Sequence, residues 1–170
     1  MYRVIQFYRA LTARVCADEL DAIAPLLGPQ GMVLFRRLSP NDQRHALNVH
    51  GLLRSWGYDD QVLLAAVLLH DVGKAAGNLG LPYRVAVTLL QAFNPRLLVR
   101  LQSDSRSGLL APFRVAGRHA ELGAQWVAEA GFSEIVVELV RHHHDEPSSL
   151  QAPGPVAEWA AALKQADEMN

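Results

Sequence analysis

The chain has 170 residues, of which 50% are hydrophobic, and its formal net charge is −1. This composition is sufficient for one domain with a real core, and the neutral balance argues against a nucleic-acid-binding protein. A single cysteine, Cys16, excludes an intrachain disulfide and fits a reducing compartment. Arginines interrupt the apolar N-terminal stretch, and the run "VLLAAVLL" (62–69) is far shorter than the roughly 20 residues that span a bilayer. We therefore expect a cytoplasmic protein without a membrane segment.

Apolar residues recur mostly at three- and four-residue spacing, which predicts an all-α chain. The predicted helices cover about 2–15, 17–27, 39–57, 60–74, 82–93, 115–130, 133–144 and 156–167. Residues 103–113, "SDSRSGLLAPF", are rich in Ser, Gly and Pro and are predicted to be a loop. The length of this loop makes it a candidate lid, with a solvated connection as the alternative.

Local signals place the boundaries of the two central helices. Ser39 is a predicted N-cap with Pro40 at the first helical position, and Gly57 is a predicted stop. Asp60, together with its neighbour Asp59, can cap the next helix, which is predicted to run to about Lys74. The dipeptide His70-Asp71 thus falls at the end of a very apolar helix, where an unpaired charge is expensive to bury. The pattern indicates a site at that end.

The chain has seven histidines, and they fall on several predicted helices or at their ends. A helix bundle can direct such residues to one point and so build a metal site. Taken singly, each histidine could be a surface group, and the run His142 to His144 could be a solvated helix end. His50 is interpreted as structural, because it lies about 140° around the helix from His45. Nitrogen and oxygen ligands without thiolate suit Mn, Fe, Co, Ni or Zn.

Five elements in order resemble the HD-domain superfamily of metal-dependent phosphohydrolases. The resemblance covers about residues 39–168. The elements are His45, "AAVLLHDVGK" (65–74), "RHAELGAQW" (118–126), "LVRHHHDE" (139–146) and "KQADEMN" (164–170). The resemblance implies a single-domain helical bundle over 39–170. Residues 1–38 would form an N-terminal helical extension that covers the core, with dimer formation as the alternative.

The resemblance also implies a ligand set for two divalent ions. The first ion would be held by His45, His70, Asp71 and Asp167. Asp71 would bridge to a second ion held by His119 and His143. The choice of His143 assumes that Asp145 matches the acid of the family motif, so the ligand could instead be His142 or His144.

The implied activity is hydrolysis of a phosphate mono- or diester, with a nucleotide or related small phosphate ester as substrate. Lys74 lies four residues from His70 and is predicted to share its helical face. It would contact a phosphate oxygen, and a surface lysine is its alternative. Arg118 and Arg141 are interpreted as surface groups, with binding of further phosphates as the alternative. The cyclic-di-GMP branch of the family is disfavoured, because no Gly-Tyr-Pro follows the histidine run. Two rival hypotheses remain, a di-iron oxygenase of HD type and a non-catalytic metal- or nucleotide-binding module. The resemblance indicates neither a nucleic-acid nor a membrane partner, and it leaves homo-oligomerisation open.

Overall fold

A computed structural model describes residues 15–77, 81–103, 111–146 and 155–170. Within these ranges the chain forms eight α-helices and one 3₁₀ segment, and no strand is present. The helices are α1 (Ala17–Phe35), α2 (Pro40–Ser55), α3 (Gln61–Leu69), α4 (Leu81–Phe93), α5 (Pro95–Ser103), α6 (Ala111–Glu129), α7 (Glu134–Arg141) and α8 (Val156–Met169), and the 3₁₀ segment is Val72–Gly77. The all-α prediction is confirmed.

The predicted helix caps are found where the sequence placed them. The Ser39 hydroxyl accepts a hydrogen bond from the Asp42 backbone N–H at 3.2 Å, and an Asp60 carboxylate oxygen accepts one from Val62 at 2.8 Å. Gly57 and Gly131 follow α2 and α6 with φ of 93° and 84°, a region that favours glycine. Local capping chemistry therefore determines these boundaries.

The helix predicted to reach Lys74 ends at Leu69, and this prediction was wrong. The chain turns through His70 and Asp71 into the 3₁₀ segment, which packs against α6. At Gly73 the two backbones approach so closely that an added Cβ would lie 1.9 Å from the His119 carbonyl oxygen. Because a 3₁₀ turn has three residues per turn, Lys74 lies over Asp71 and not, as predicted, on the face of His70.

Several other helix bounds differ from the prediction. Helix α5 was missed, although Asn94 caps it by accepting from the Leu97 N–H at 3.1 Å. Helix α6 begins at Ala111, so residues 111–113 of the predicted loop are helical. Helix α7 ends at Arg141, before the histidine run, and α1 continues to Phe35 through a kink at Gly28. The rest of the predicted loop, 104–110, and most of the first predicted helix lie outside the described residues.

Helix α3 forms the centre of the core, and residues 63–69 are all buried. Helices α1, α2 and α7 pack around it, while α8 packs on α2 and α7. From the N-terminal segment, Ile23, Leu27 and Phe35 are among the residues that join the same apolar cluster. In the described ranges no helix combines the length and apolarity needed to cross a membrane. His70 and Asp71 directly follow the buried α3 and therefore lie in the middle of the bundle.

Candidate metal centre

The six predicted ligands converge on Asp71 from five parts of the chain. Asp71 is almost fully buried, with 1% of its side chain exposed. His45 comes from α2, His70 and Asp71 from the end of α3, His119 from α6, His143 from the turn after α7, and Asp167 from α8. The fold therefore brings together residues that are up to 122 positions apart in sequence.

The two oxygens of Asp71 face different groups of histidines. The Nε2 atoms of His70 and His45 lie 3.5 Å and 3.9 Å from Oδ2. The Nε2 atoms of His119 and His143 lie 3.5 Å and 3.7 Å from Oδ1. This division defines two halves of the centre, here termed the first half (the Oδ2 side) and the second half (the Oδ1 side).

In the first half, Asp167 completes a group with two imidazoles. Its Oδ1 lies 2.7 Å from His45 Nε2 and 3.6 Å from His70 Nε2. One ligand atom from each of the three residues lies within 4.8 Å of the other two. With Asp71 Oδ2, this group offers two nitrogens and two oxygens to a cation.

The second half contains a residue that sequence reasoning did not select, His144. One nitrogen each of His119, His143 and His144 lie within 4.8 Å of one another, and the Nε2 atoms of His144 and His119 are 3.1 Å apart. Two consecutive histidines can face one point because α7 has ended and residues 142–144 form a turn. The run of three histidines carried this signal, but the prediction treated its members as alternatives.

The third histidine of the run points elsewhere. His142 Nδ1 lies 2.6 Å from an Asp145 carboxylate oxygen, and its Nε2 lies 3.3 Å from Glu138. Asp145, the acid that was used to align the family motif, is thus paired with His142. His142 is therefore separate from the centre.

Backbone carbonyls fix the orientation of two buried imidazoles. His70 Nδ1 donates to the Val67 carbonyl, and His143 Nδ1 donates to the Val140 carbonyl, each at 2.7 Å. With Nδ1 as the donor of the neutral ring, the lone pair of Nε2 points into the centre. Metal-binding histidines are commonly oriented in this way.

Three buried polar atoms have no hydrogen-bond partner in the described part of the chain. They are His70 Nε2, Asp71 Oδ1 and His143 Nε2. Unsatisfied buried groups are rare and cost stability, so a cluster of three calls for an explanation. Cations in the two halves would satisfy all three atoms at once. The donor set, imidazole with carboxylate and without thiolate, fits a first-row transition metal.

The charges of the centre act differently on its members. Burial lowers the pKa of His70, but Asp71 and Asp167 outweigh it and raise the pKa, so a metal ion at this ring would displace a proton. Burial raises the pKa of Asp71, but Lys74 and His70 outweigh it and hold the pKa well below its usual range. Burial would also raise the pKa of Asp167, but the hydrogen bond with His45 and the nearby imidazole of His70 outweigh it and hold the pKa far below that of a free carboxyl. Burial and the neighbouring His70 lower the pKa of His143 well below its usual value. Two carboxylates and a neutral imidazole are ligand forms at neutral pH.

The cationic residues named in the sequence differ in their surroundings. Lys74 Nζ lies 2.5 Å from Asp71 Oδ2. Arg141 pairs with Glu121 at 3.2 Å and with Glu138, and Arg118 is exposed. His50, interpreted as structural, is half-buried in an open groove between α1 and α2. Of these, only Lys74 lies against the centre.

A scan against protein-family profiles matches the HD domain over residues 43–169. The match covers three quarters of the chain, and it includes all the residues of both halves. The chain therefore belongs to the HD-domain family. Separate searches of curated proteins and of solved structures each found no match.

Proposed function

We propose that this protein is a metal-dependent phosphohydrolase with a two-ion centre bridged by Asp71. The observation that carries the proposal is the division of one buried carboxylate between two groups of imidazoles. The three unsatisfied buried atoms around it support a cation in each half. Membership of the HD-domain family, to which the sequence motifs pointed, supports the proposed reaction class.

The residues of each half have distinct tasks. His45, His70 and Asp167 would hold one ion and His119, His143 and His144 the other, while Asp71 fixes the separation between them. When bound, the two ions supply a hydroxide at neutral pH and neutralise charge on a phosphate. Lys74, with 30% of its side chain exposed, can present its charge to a phosphate oxygen at the rim. A nucleotide or a related phosphate ester is the proposed substrate class.

The test combines metal analysis with an activity panel. The untagged chain, purified without chelator, is loaded in turn with Mn, Fe, Co, Ni and Zn. It is then assayed on p-nitrophenyl phosphate, bis(p-nitrophenyl) phosphate and nucleoside phosphates. We expect two ions per chain and metal-dependent phosphoester hydrolysis.

Matched variants separate the centre from the rest of the chain. Asp71→Ala should lose both metal and activity, while His50→Ala should keep both. Full metal content in Asp71→Ala would contradict the site. Oxygen-dependent turnover with bound iron would favour the oxygenase hypothesis, and nucleotide binding without hydrolysis for every metal would favour the binding module.

A further inference from the structure

The two halves of the centre differ in one charge. On the first-half side, Asp71 Oδ2 already contacts a cation, the ammonium of Lys74 at 2.5 Å. On the second-half side, Asp71 Oδ1 has no hydrogen-bond partner in the described residues. An ion entering the first half therefore meets a positive charge on its shared oxygen, and an ion entering the second half does not.

The backbone holds Lys74 in this position. Its N–H donates to the Asp71 carbonyl at 2.9 Å, which closes the first turn of the 3₁₀ segment. That turn packs against α6 through Gly73, where a Cβ would lie 2.7 Å from the Gly123 nitrogen. A lysine side chain is ordinarily cationic at neutral pH, and the contact of its ammonium with the Asp71 carboxylate stabilises that form.

We propose that Lys74 is a built-in competitor of the first-half metal ion. Its ammonium and the ion compete for Asp71 Oδ2, so the first half binds metal more weakly than its four ligand atoms alone would. The effect on the second half is smaller, because that ion uses Oδ1. This inference rests on the proposed two-ion centre, and it adds a residue that lowers the affinity for one of the two ions.

The test is a titration of the whole chain with Co²⁺ against a competing chelator, followed by d–d absorption. Asp167→Asn and His144→Ala assign the binding steps to the first and second halves. Lys74→Met should tighten the first-half step by roughly tenfold, the low end of what neighbours of ligands contribute to metal affinity. Lys74→Arg keeps the charge and should retain the wild-type affinity. Lys164→Met removes a lysine paired with Glu146 on the surface and should change neither step.

Unchanged or weaker first-half binding in Lys74→Met, with wild-type binding in Lys74→Arg, overturns the inference while the two-ion centre stands. A wild-type chain that binds no Co²⁺ overturns the proposed function itself.

Discussion

Gly73 shows how one residue determines the geometry of the centre. A side chain at this position would collide with the backbone carbonyl of His119 on α6. Backbone cannot move aside as the end of a flexible side chain can, so the 3₁₀ segment or α6 would have to shift. Both elements carry groups of the centre. The position therefore links stability to metal binding.

We predict that Gly73→Ala destabilises the chain by about 3 kcal/mol or more, at the upper end of overpacking costs. Gly51→Ala is the matched control, because an added Cβ there meets nothing within 4 Å. That variant should be stabilised by roughly 0.5–1 kcal/mol from helix propensity. Urea unfolding monitored by circular dichroism measures both. Equal stability of the two variants would contradict the close approach seen at Gly73.

His144 provides a second prediction at the scale of the residue. His144→Ala should weaken metal binding in the second half, because it removes one of three imidazoles that lie together. His142→Ala removes a neighbouring histidine that pairs with Asp145 and should leave metal binding unchanged. Chelator competition compares the two variants. Loss of affinity only in the second variant would show that the wrong histidine of the run was assigned.

At the residue scale, sequence reasoning selected six residues that the fold does bring together. It did so because the motifs that carry these residues resemble those of the HD-domain superfamily. It treated His144 only as an alternative to His143, and it placed Lys74 on the wrong face. These errors share a cause. Both residues follow the end of a helix, and beyond that point the helical spacing no longer predicts where a side chain points.

At the scale of elements, α1 is attached to α2 by an ion pair outside the centre. The two terminal guanidinium nitrogens of Arg44, Nη1 and Nη2, donate to the two carboxylate oxygens of Glu19, each at 2.6 Å. Glu19 also accepts from the Cys16 backbone N–H at 2.9 Å, at the start of α1. The hydrogen bond from Arg44 lowers the pKa of Glu19 from 4.5 to about 2.

This pKa predicts a pH-dependent contribution to stability. Because the folded-state pKa is depressed, Glu19 stabilises the fold above pH 4.5, and the contribution is lost as the pH falls through about 2. The carboxylate is 36% exposed, so we expect only about 0.5 kcal/mol, typical of a solvent-screened pair. Glu19→Gln should be less stable than wild type at pH 6, and the difference should vanish near pH 2. A difference that is constant across this range would contradict the assignment.

The helix order was predictable from periodicity and caps, but several boundaries were not. No proline separates α3 from "HDVGK", and in the structure the helix ends at Leu69, just before the close approach of Gly73 to α6. In α5, the capping signal of Asn94 followed by Pro95 was present in the sequence and was overlooked. Packing between distant segments is not encoded in local propensity, which is why the first error was harder to avoid than the second.

At the scale of the whole molecule, the centre joins α2, α3, α6, α7 and α8. Ligands that bind only the folded state stabilise it in proportion to the logarithm of their free concentration. Each ion at about 100 times its dissociation constant should add about 2.7 kcal/mol, or a rise in Tm of roughly 5–10 °C per ion for a domain of this size. Differential scanning calorimetry with and without chelator measures the shift. Asp71→Ala should show none, and an equal shift in that variant would indicate metal binding elsewhere.

The single carboxylate of Asp71, which serves both halves, has a consequence for how affinities can be defined. In the proposed two-ion centre, neutralisation of that carboxylate by one ion would change the charge that the other ion meets, so the two binding equilibria would be thermodynamically linked. Linkage is reciprocal: if the first ion changes the affinity for the second by some factor, the second ion changes the affinity for the first by the same factor. An affinity measured for either ion is therefore a property of the pair, and it has a fixed value only when the occupancy of the other half is stated.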